Sequence, residues 1–172
     1  MRRVRYSVAM SLDGFIAGPK GESDWIVMDP EIDFHALFDA FDTILLGRKT
    51  YEATRQPGNE GGMPGMETYV FSRTLRPSDC PGVIVSDDPK ATLTDLQAKV
   101  GKDIWLFGGG SLFRSLLQLG LVDSVEVAII PVLLGDGVPF LPESATLAKK
   151  LKLVNHRVYE KTGTVSLGYV VL

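Results

Sequence analysis

Cysteine is almost absent from this chain. A single thiol, Cys80, stands in "PSDCPG", so no disulfide can form within the chain. Histidine is nearly as scarce. His35 and His156 lie far apart, and one cysteine with two separated histidines gives no set at zinc-ligand spacing, so no metal site is expected. Positive charge is not in excess either. The net charge is −3 and the pI is near 5.4, which removes the charge argument for a nucleic-acid partner. No window of about 18 apolar residues suggests a membrane span. The basic start "MRRVRYSVAM" is followed by no apolar segment of signal-peptide length, and a cytoplasmic location is expected. The G-x-G-x-x-G and G-x-x-x-x-G-K-[ST] fingerprints are also missing; in "GGGSLF", Phe113 occupies the place of the last glycine. No internal repeat or linker divides the 172 residues, so one domain over 1–172 is expected.

What is present is an alternation of strand-like and helix-like segments. Val4 to Ser11 alternates in the manner of a strand and ends at the Asp13-Gly14 turn. Phe34, Leu37, Phe38 and Phe41 fall at i, i+3, i+4, i+7, which predicts a helix over Glu31 to Phe41. "DTILLG" reads as a strand covered on both faces, and "RKTYEATR" as the helix after it. Gln56 to Glu67 holds four glycines and two prolines and reads as a long, substrate-facing loop. "TYVFS" and "GVIVS" are strands. Thr92 to Val100 reads as a helix with Leu93, Leu96 and Val100 inward. "DIWLFGGG" is a strand running into glycines, and Ser111 to Leu119 a helix that Ser111 is placed to cap. "SVEVAIIPVL" is a strand stopped at Pro131. "KLKLVNHRVYE" and "TVSLGYVVL" form a terminal hairpin around "KTGT". This order predicts an α/β fold with a mostly parallel central sheet, helices on both faces and a C-terminal antiparallel hairpin.

Open α/β sheets bind ligands beyond the carboxyl ends of their strands. Three polar or glycine-marked strand ends fall there. At Gly47-Arg48-Lys49-Thr50, free amides, two cations and a hydroxyl meet at a helix start, a setting that favours an anion. Ser72-Arg73-Thr74 follows the next strand. Gly108-Gly109-Gly110 costs backbone entropy three times over, which makes sense where a ligand comes too close for a Cβ. Three such turns on one edge suit an extended ligand with several phosphates.

These segments resemble the dihydrofolate reductase superfamily, and most of all its bacterial dihydrofolate reductase-like branch, which includes the reductase domain of riboflavin biosynthesis. The resemblance rests on "SLDGFIA", "LLGRKTYE", "YVFSRT", "WLFGGGSLF" and "LVDSVEVAIIPVLLGDGVPFL". It implies a three-layer fold, NADPH as cofactor and a small-molecule substrate. By resemblance Gly47, Arg48, Lys49 and Thr50 hold the adenosine side and the diphosphate. Ser72 and Arg73 flank the 2′-phosphate, and Gly108, Gly109, Gly110, Ser111 and Leu112 wrap the diphosphate and nicotinamide ribose. Ala9 and Ile16 line the nicotinamide. Asp13, Trp25 and Phe34 are candidates for the substrate pocket, with Trp25 as a lid or wall, although Asp13 also reads as a turn residue.

The implied catalytic carboxylate falls at Glu31, with Asp33 close behind; either relays a proton if burial raises its pKa. Ala128 stands where the family has a threonine partner for that acid. Met66 stands where the family clamps the folate tail with arginine, and a thioether cannot pair with a carboxylate, which argues against folate. A zinc deaminase domain of the riboflavin pathway needs cysteines this chain lacks. The activity so implied is that of an NADPH-dependent oxidoreductase acting on a C=N or C=O of a pterin-like or flavin-precursor-like heterocycle. True dihydrofolate reductase and a non-catalytic nucleotide-binding module are the alternatives. Relatives of this branch often pair, and the apolar last strand raises the expectation of a homodimer.

Overall fold

The computed structural model describes residues 1–58, 61–143 and 148–172. β1 (Val4–Ser11) and the short β2 (Phe15–Ala17) precede α1 (Phe34–Asp39), β3 (Phe41–Gly47) and α2 (Arg48–Thr54). There follow β4 (Glu67–Phe71), β5 (Ile84–Ser86), α3 (Pro89–Ala98), β6 (Asp103–Gly108) and α4 (Gly110–Gln118). The chain ends with β7 (Ser124–Ile130), β8 (Val138–Pro139), β9 (Leu151–Tyr159) and β10 (Thr164–Val171). The main sheet has the order β5-β4-β3-β6-β1-β7-β10-β9. Its first six strands pair in parallel, while β10 pairs antiparallel with both β7 and β9. The expected terminal hairpin is therefore the antiparallel edge. β2 and β8 form a separate two-stranded ribbon that the alternation did not predict; each is too short to show a period.

Period-two alternation divides the sheet into two faces. On one, Val4, Tyr6, Leu45, Ile104 and Leu106 pack with Leu93 and Leu96 of α3 and Leu112, Phe113 and Leu116 of α4. On the other, Phe41, Ile44, Leu46, Val70 and Trp105 pack with Tyr51 of α2 and the buried Cys80. This gives helices, sheet and helices in three layers.

Four local expectations are corrected. α1 spans Phe34–Asp39 rather than Glu31 to Phe41 because the Asp33 carboxylate accepts the Ala36 amide at 2.9 Å and fixes the start. Phe41 belongs to β3, where it is buried against Trp105. α3 stops at Ala98, so Val100 is fully exposed instead of inward. The N-cap of α4 is Gly109, with no side-chain cap; Ser111 lies inside the helix and leaves the first-turn amides free. Within the glycine-rich loop, residues 59 and 60 lie outside the described residues, and Glu67 is already part of β4.

Two contacts hold the loops beside the sheet's carboxyl edge. The Asp13 carboxylate accepts from the Ser11 hydroxyl at 2.6 Å and from the amides of Leu134 and Gly135 at 3.1 and 2.7 Å. This ties the turn after β1 to the one after β7. Gly110 lies so close to the segment after β8 that a Cβ there would sit 2.7 Å from the Pro139 carbonyl oxygen and 2.9 Å from Pro142 Cδ.

Gly110→Ala is accordingly expected to cost about 1–3 kcal/mol through overpacking, read as a lowered urea midpoint; an unchanged midpoint refutes the tight approach. The Ser11 hydroxyl first, and then the Gly135 amide, hold the Asp13 carboxyl below its ordinary pKa. A depressed carboxyl contributes stability above its unfolded pKa and loses it as pH falls through the folded value. Melting temperature should therefore drop below roughly pH 4, with that component missing in Asp13→Asn.

Candidate functional site

Parallel pairing sets the carboxyl ends of β4, β3 and β6 side by side. Gly47 is the register partner of Phe71, and Leu46 that of Gly108. The three polar turns are thus neighbours on one edge, and all of them line one open cleft.

The glycines show what the turns are shaped for. A Cβ at Gly47 would meet Gly108, Gly109 and Leu112 only at ordinary contact, 3.7 Å. One at Gly108 would meet Thr50 Oγ1 at 3.7 Å, and one at Gly109 the same atom at 3.3 Å. None of the three has a positive φ. The protein's own packing therefore does not demand bare backbone at Gly47 or Gly108. Gly110 differs, being required by the fold itself. The Gly108–Gly109 peptide is cis.

Cations rim the β3–β4 end of the cradle. The Arg48 guanidinium is spent only on Glu52, one helical turn away at 3.2 Å, with both side chains nearly half exposed; such pairs exchange readily for a better anion. Lys49 and Arg73 are exposed beside it. Ser72 Oγ accepts the amides of Thr74 and Leu75, so it shapes its turn as well as facing the cleft. Ala9 on β1 and Ile16 on β2 line the same space, as do Ser111 and Leu112 at the start of α4.

The other candidates divide. Phe34 and Asp33 line the cleft, but Asp33 is exposed and serves as the helix cap. Glu31 is turned outward to Arg157 at 3.2 Å and Lys161 at 3.8 Å. Neither carboxylate is buried. Asp13 does not line the cleft and ties two loops together instead. Trp25 is not among the residues lining the cleft, and its indole N–H donates to the Glu22 carbonyl at 2.9 Å. Met66 packs into the core beneath α2, away from the cleft.

Sequence reasoning missed much of the cleft floor. β1 sends Val4 and Tyr6 into the α3–α4 core, so Arg5, Ser7 and Ala9 face the other way. Trp105 and Phe107 flank them from β6, and the Phe38 ring of α1 lies tilted against Trp105, with centroids 5.6 Å apart. Deeper in, Arg5 donates twice to Glu126, at 2.7 and 2.8 Å, and once to Asp103 at 3.3 Å. The Glu126 hydrogen bond, foremost, raises the Arg5 pKa against a smaller lowering by burial. The period of two along β1, β6 and β7 was the available signal. Among the described residues, no group of three or more His, Cys, Asp or Glu side chains forms a metal site, and no helix is long and apolar enough to cross a membrane.

Known proteins share this architecture. A structure of a Shewanella sp. PV-4 protein named for riboflavin biosynthesis superposes with a TM-score of 0.81 at 25% identity, covering 100% of this chain and 99% of that one. Dihydrofolate reductase of Enterococcus faecalis, solved with NADP(H), gives 0.67 at 20% identity over 98% and 96% of the two chains; the fold is dihydrofolate reductase-like. The uncharacterized protein YyaP of Bacillus subtilis is 37% identical over 98% of this chain and 94% of its own length. The sequence profile of the RibD C-terminal domain matches residues 2–165, and the chain belongs to that family.

Proposed function

We propose that the protein is an NADPH-dependent reductase that delivers a hydride to a C=N or C=O of a small, flat heterocycle of the pterin or flavin-precursor kind. The observation carrying this reading is the cradle of Gly47 and Gly108, bare of Cβ without the fold requiring it, with Arg48, Lys49 and Arg73 at one end. Free first-turn amides of α4 face a diphosphate. Arg48 and Arg73 meet the 2′-phosphate, where bidentate guanidinium contacts are strong. Bound there, NADPH would supply the hydride. Ala9 and Ile16 give its ring a flat, apolar seat, and Trp105, Phe107 and Phe34 form an aromatic wall that keeps water out and favours a planar substrate. The exposure of Asp33 and the outward turn of Glu31 leave proton delivery to water.

A second copy of the chain is the partner we propose. Val165, Leu167, Tyr169 and Val171 of β10, with Val158, Leu153 and Leu151 of β9 opposite them, continue the α3–α4 face of the sheet. Leu151, Leu153 and Val158 are 41%, 48% and 59% exposed, and no described helix covers them. Apolar sheet faces of this kind pack against one another.

Gly47→Ser keeps a good helix N-cap while putting a Cβ into the cradle. Its melting temperature should hold or rise, while NADPH affinity by calorimetry falls at least about tenfold; unchanged affinity refutes the cradle. Arg48→Ala with Arg73→Ala should weaken NADPH by about tenfold or more and leave NADH nearly unchanged. Glu31→Gln and Asp33→Asn should each keep kcat within about tenfold, whereas loss of a true general acid costs roughly a hundredfold or more. Leu153→Glu should convert a dimer to a monomer by sedimentation velocity.

A further inference from the structure

We infer that the protein has a further activity, the two-electron reduction of flat, uncharged quinones that carry apolar substituents. The inference rests on the reductase reading for its hydride donor and goes beyond it in the acceptor.

An apolar wall carries the inference. The segment between β2 and α1, with α1 itself, lines the cleft with Ile26, Val27, Met28, Ile32, Phe34 and Phe38. Val27 and Met28 are 52% and 63% exposed, and Phe38 is 38% exposed. Val27 and Met28 belong to neither cluster of the core, so the fold gains little from their being apolar. Exposed apolar side chains gathered along a groove mark a ligand surface. The wall is also fixed in place. Within it the buried Asp29 accepts from Thr162 Oγ1 at 2.7 Å and from the Glu31 amide at 2.8 Å, which ties the segment to the β9–β10 turn.

Small side chains make the floor. Ala9 is opposite Ala128, and Ala128 opposite Ser166; directly paired residues share a face. Trp105 and Phe107 line the same cleft, set edge to face with centroids 5.1 Å apart, and a flat ring packs well against such a pair. Three charged groups that line the cleft are already engaged. Glu126 accepts from Arg5 at 2.7 and 2.8 Å, Arg157 pairs with Glu31 at 3.2 Å, and Asp33 caps α1. An uncharged ring covers the apolar surface without stripping any of these charges of its partner.

The reacting centre favours the same class. Asp33 is exposed, Glu31 is turned to Arg157, and position 128 is alanine, so none of these places a buried acid beside Ala9. A C=N takes up hydride readily only when its nitrogen is protonated, because the anion otherwise left on nitrogen is strongly basic. A quinone has no such need. It receives two electrons and one proton as hydride from bound NADPH, loses its C=O π bonds as the ring becomes aromatic, and is left as a phenolate-like anion. That anion is about as basic as tyrosinate, with a pKa of about 10, and water protonates it. Quinone, NADPH and H+ thus give hydroquinone and NADP+. The single thiol, Cys80, is 1% exposed, so addition of the quinone to sulfur does not compete.

The probes are menadione, its 2-ethyl and 2-propyl homologues, and lumazine, a polar flat heterocycle of similar size. Binding is read by calorimetry with NADP+ saturating, so that nothing turns over. Menadione should bind at least about tenfold more tightly than lumazine, and each added methylene should tighten binding roughly twofold to fourfold. Val27→Thr with Met28→Gln keeps side-chain size at exposed positions. The double variant should hold its melting temperature and NADP+ affinity while binding menadione at least about threefold more weakly. Under anaerobic conditions, NADPH consumed by the wild-type protein should match hydroquinone formed. Lumazine bound as tightly as menadione, a flat alkyl series, an unaffected double variant, or menadione bound but not reduced overturns the quinone activity alone. Failure of NADP+ itself to bind, measured first, overturns the reductase reading and the quinone activity with it.

Discussion

Parallel hydrogen bonding among β4, β3, β6 and β1 carries the site. In a parallel sheet every connection must return to the starting edge, so these strands all end on the same side and their helices begin there. Because Gly47 is level with Phe71 and Leu46 with Gly108, turns distant in sequence become adjacent walls of one cradle. The cradle does not depend on the side chains of a single motif: a chain without a G-x-G-x-x-G run still brings the bare backbone of Gly47 and Gly108 together on one edge.

The two sheet faces are used differently. The face under α3 and α4 is filled by large apolar side chains and supplies stability; fully burying a leucine such as Leu93 or Leu96 is worth about 1.5–3 kcal/mol. The opposite face is covered only in part, by α1 and α2, and its uncovered residues are small or polar. Arg5, Glu126 and Asp103 lie at its deep end. Arg3 also pairs with Asp103, so two guanidiniums meet two carboxylates there. Removing Arg5 alone would leave Glu126 without its partner, which is costlier than never having had the pair.

Much of this was legible in the sequence. Strong alternation in β1 and the unbroken run in β3 gave the strands, and glycines after β3 and β6 gave the turns. The RibD C-terminal domain profile supports the family-level part of the resemblance. Misread positions share a physical cause. Phe34, Phe38 and Phe41 look alike at helical spacing, yet Phe41 gains more by stacking on Trp105 inside β3, while Phe34 and Phe38 stay partly open at the cleft. Trp25 and Asp13 look functional by residue type, but Trp25 is held by the nearby Glu22 carbonyl and Asp13 by the amides of Leu134 and Gly135, far along the chain.

Charge is laid out along the cleft rather than over the surface. In a chain of net charge −3, Arg48 and Lys49 follow β3 while Arg157 stands on β9, five strands away in the sheet order, or about 24 Å. That separation exceeds the screening length of about 8–10 Å at ordinary ionic strength, so the two cationic ends act independently. The stretch between them is aromatic, small or internally neutralised. Between the two ends the cleft is lined by Ala9, Trp105 and Phe107.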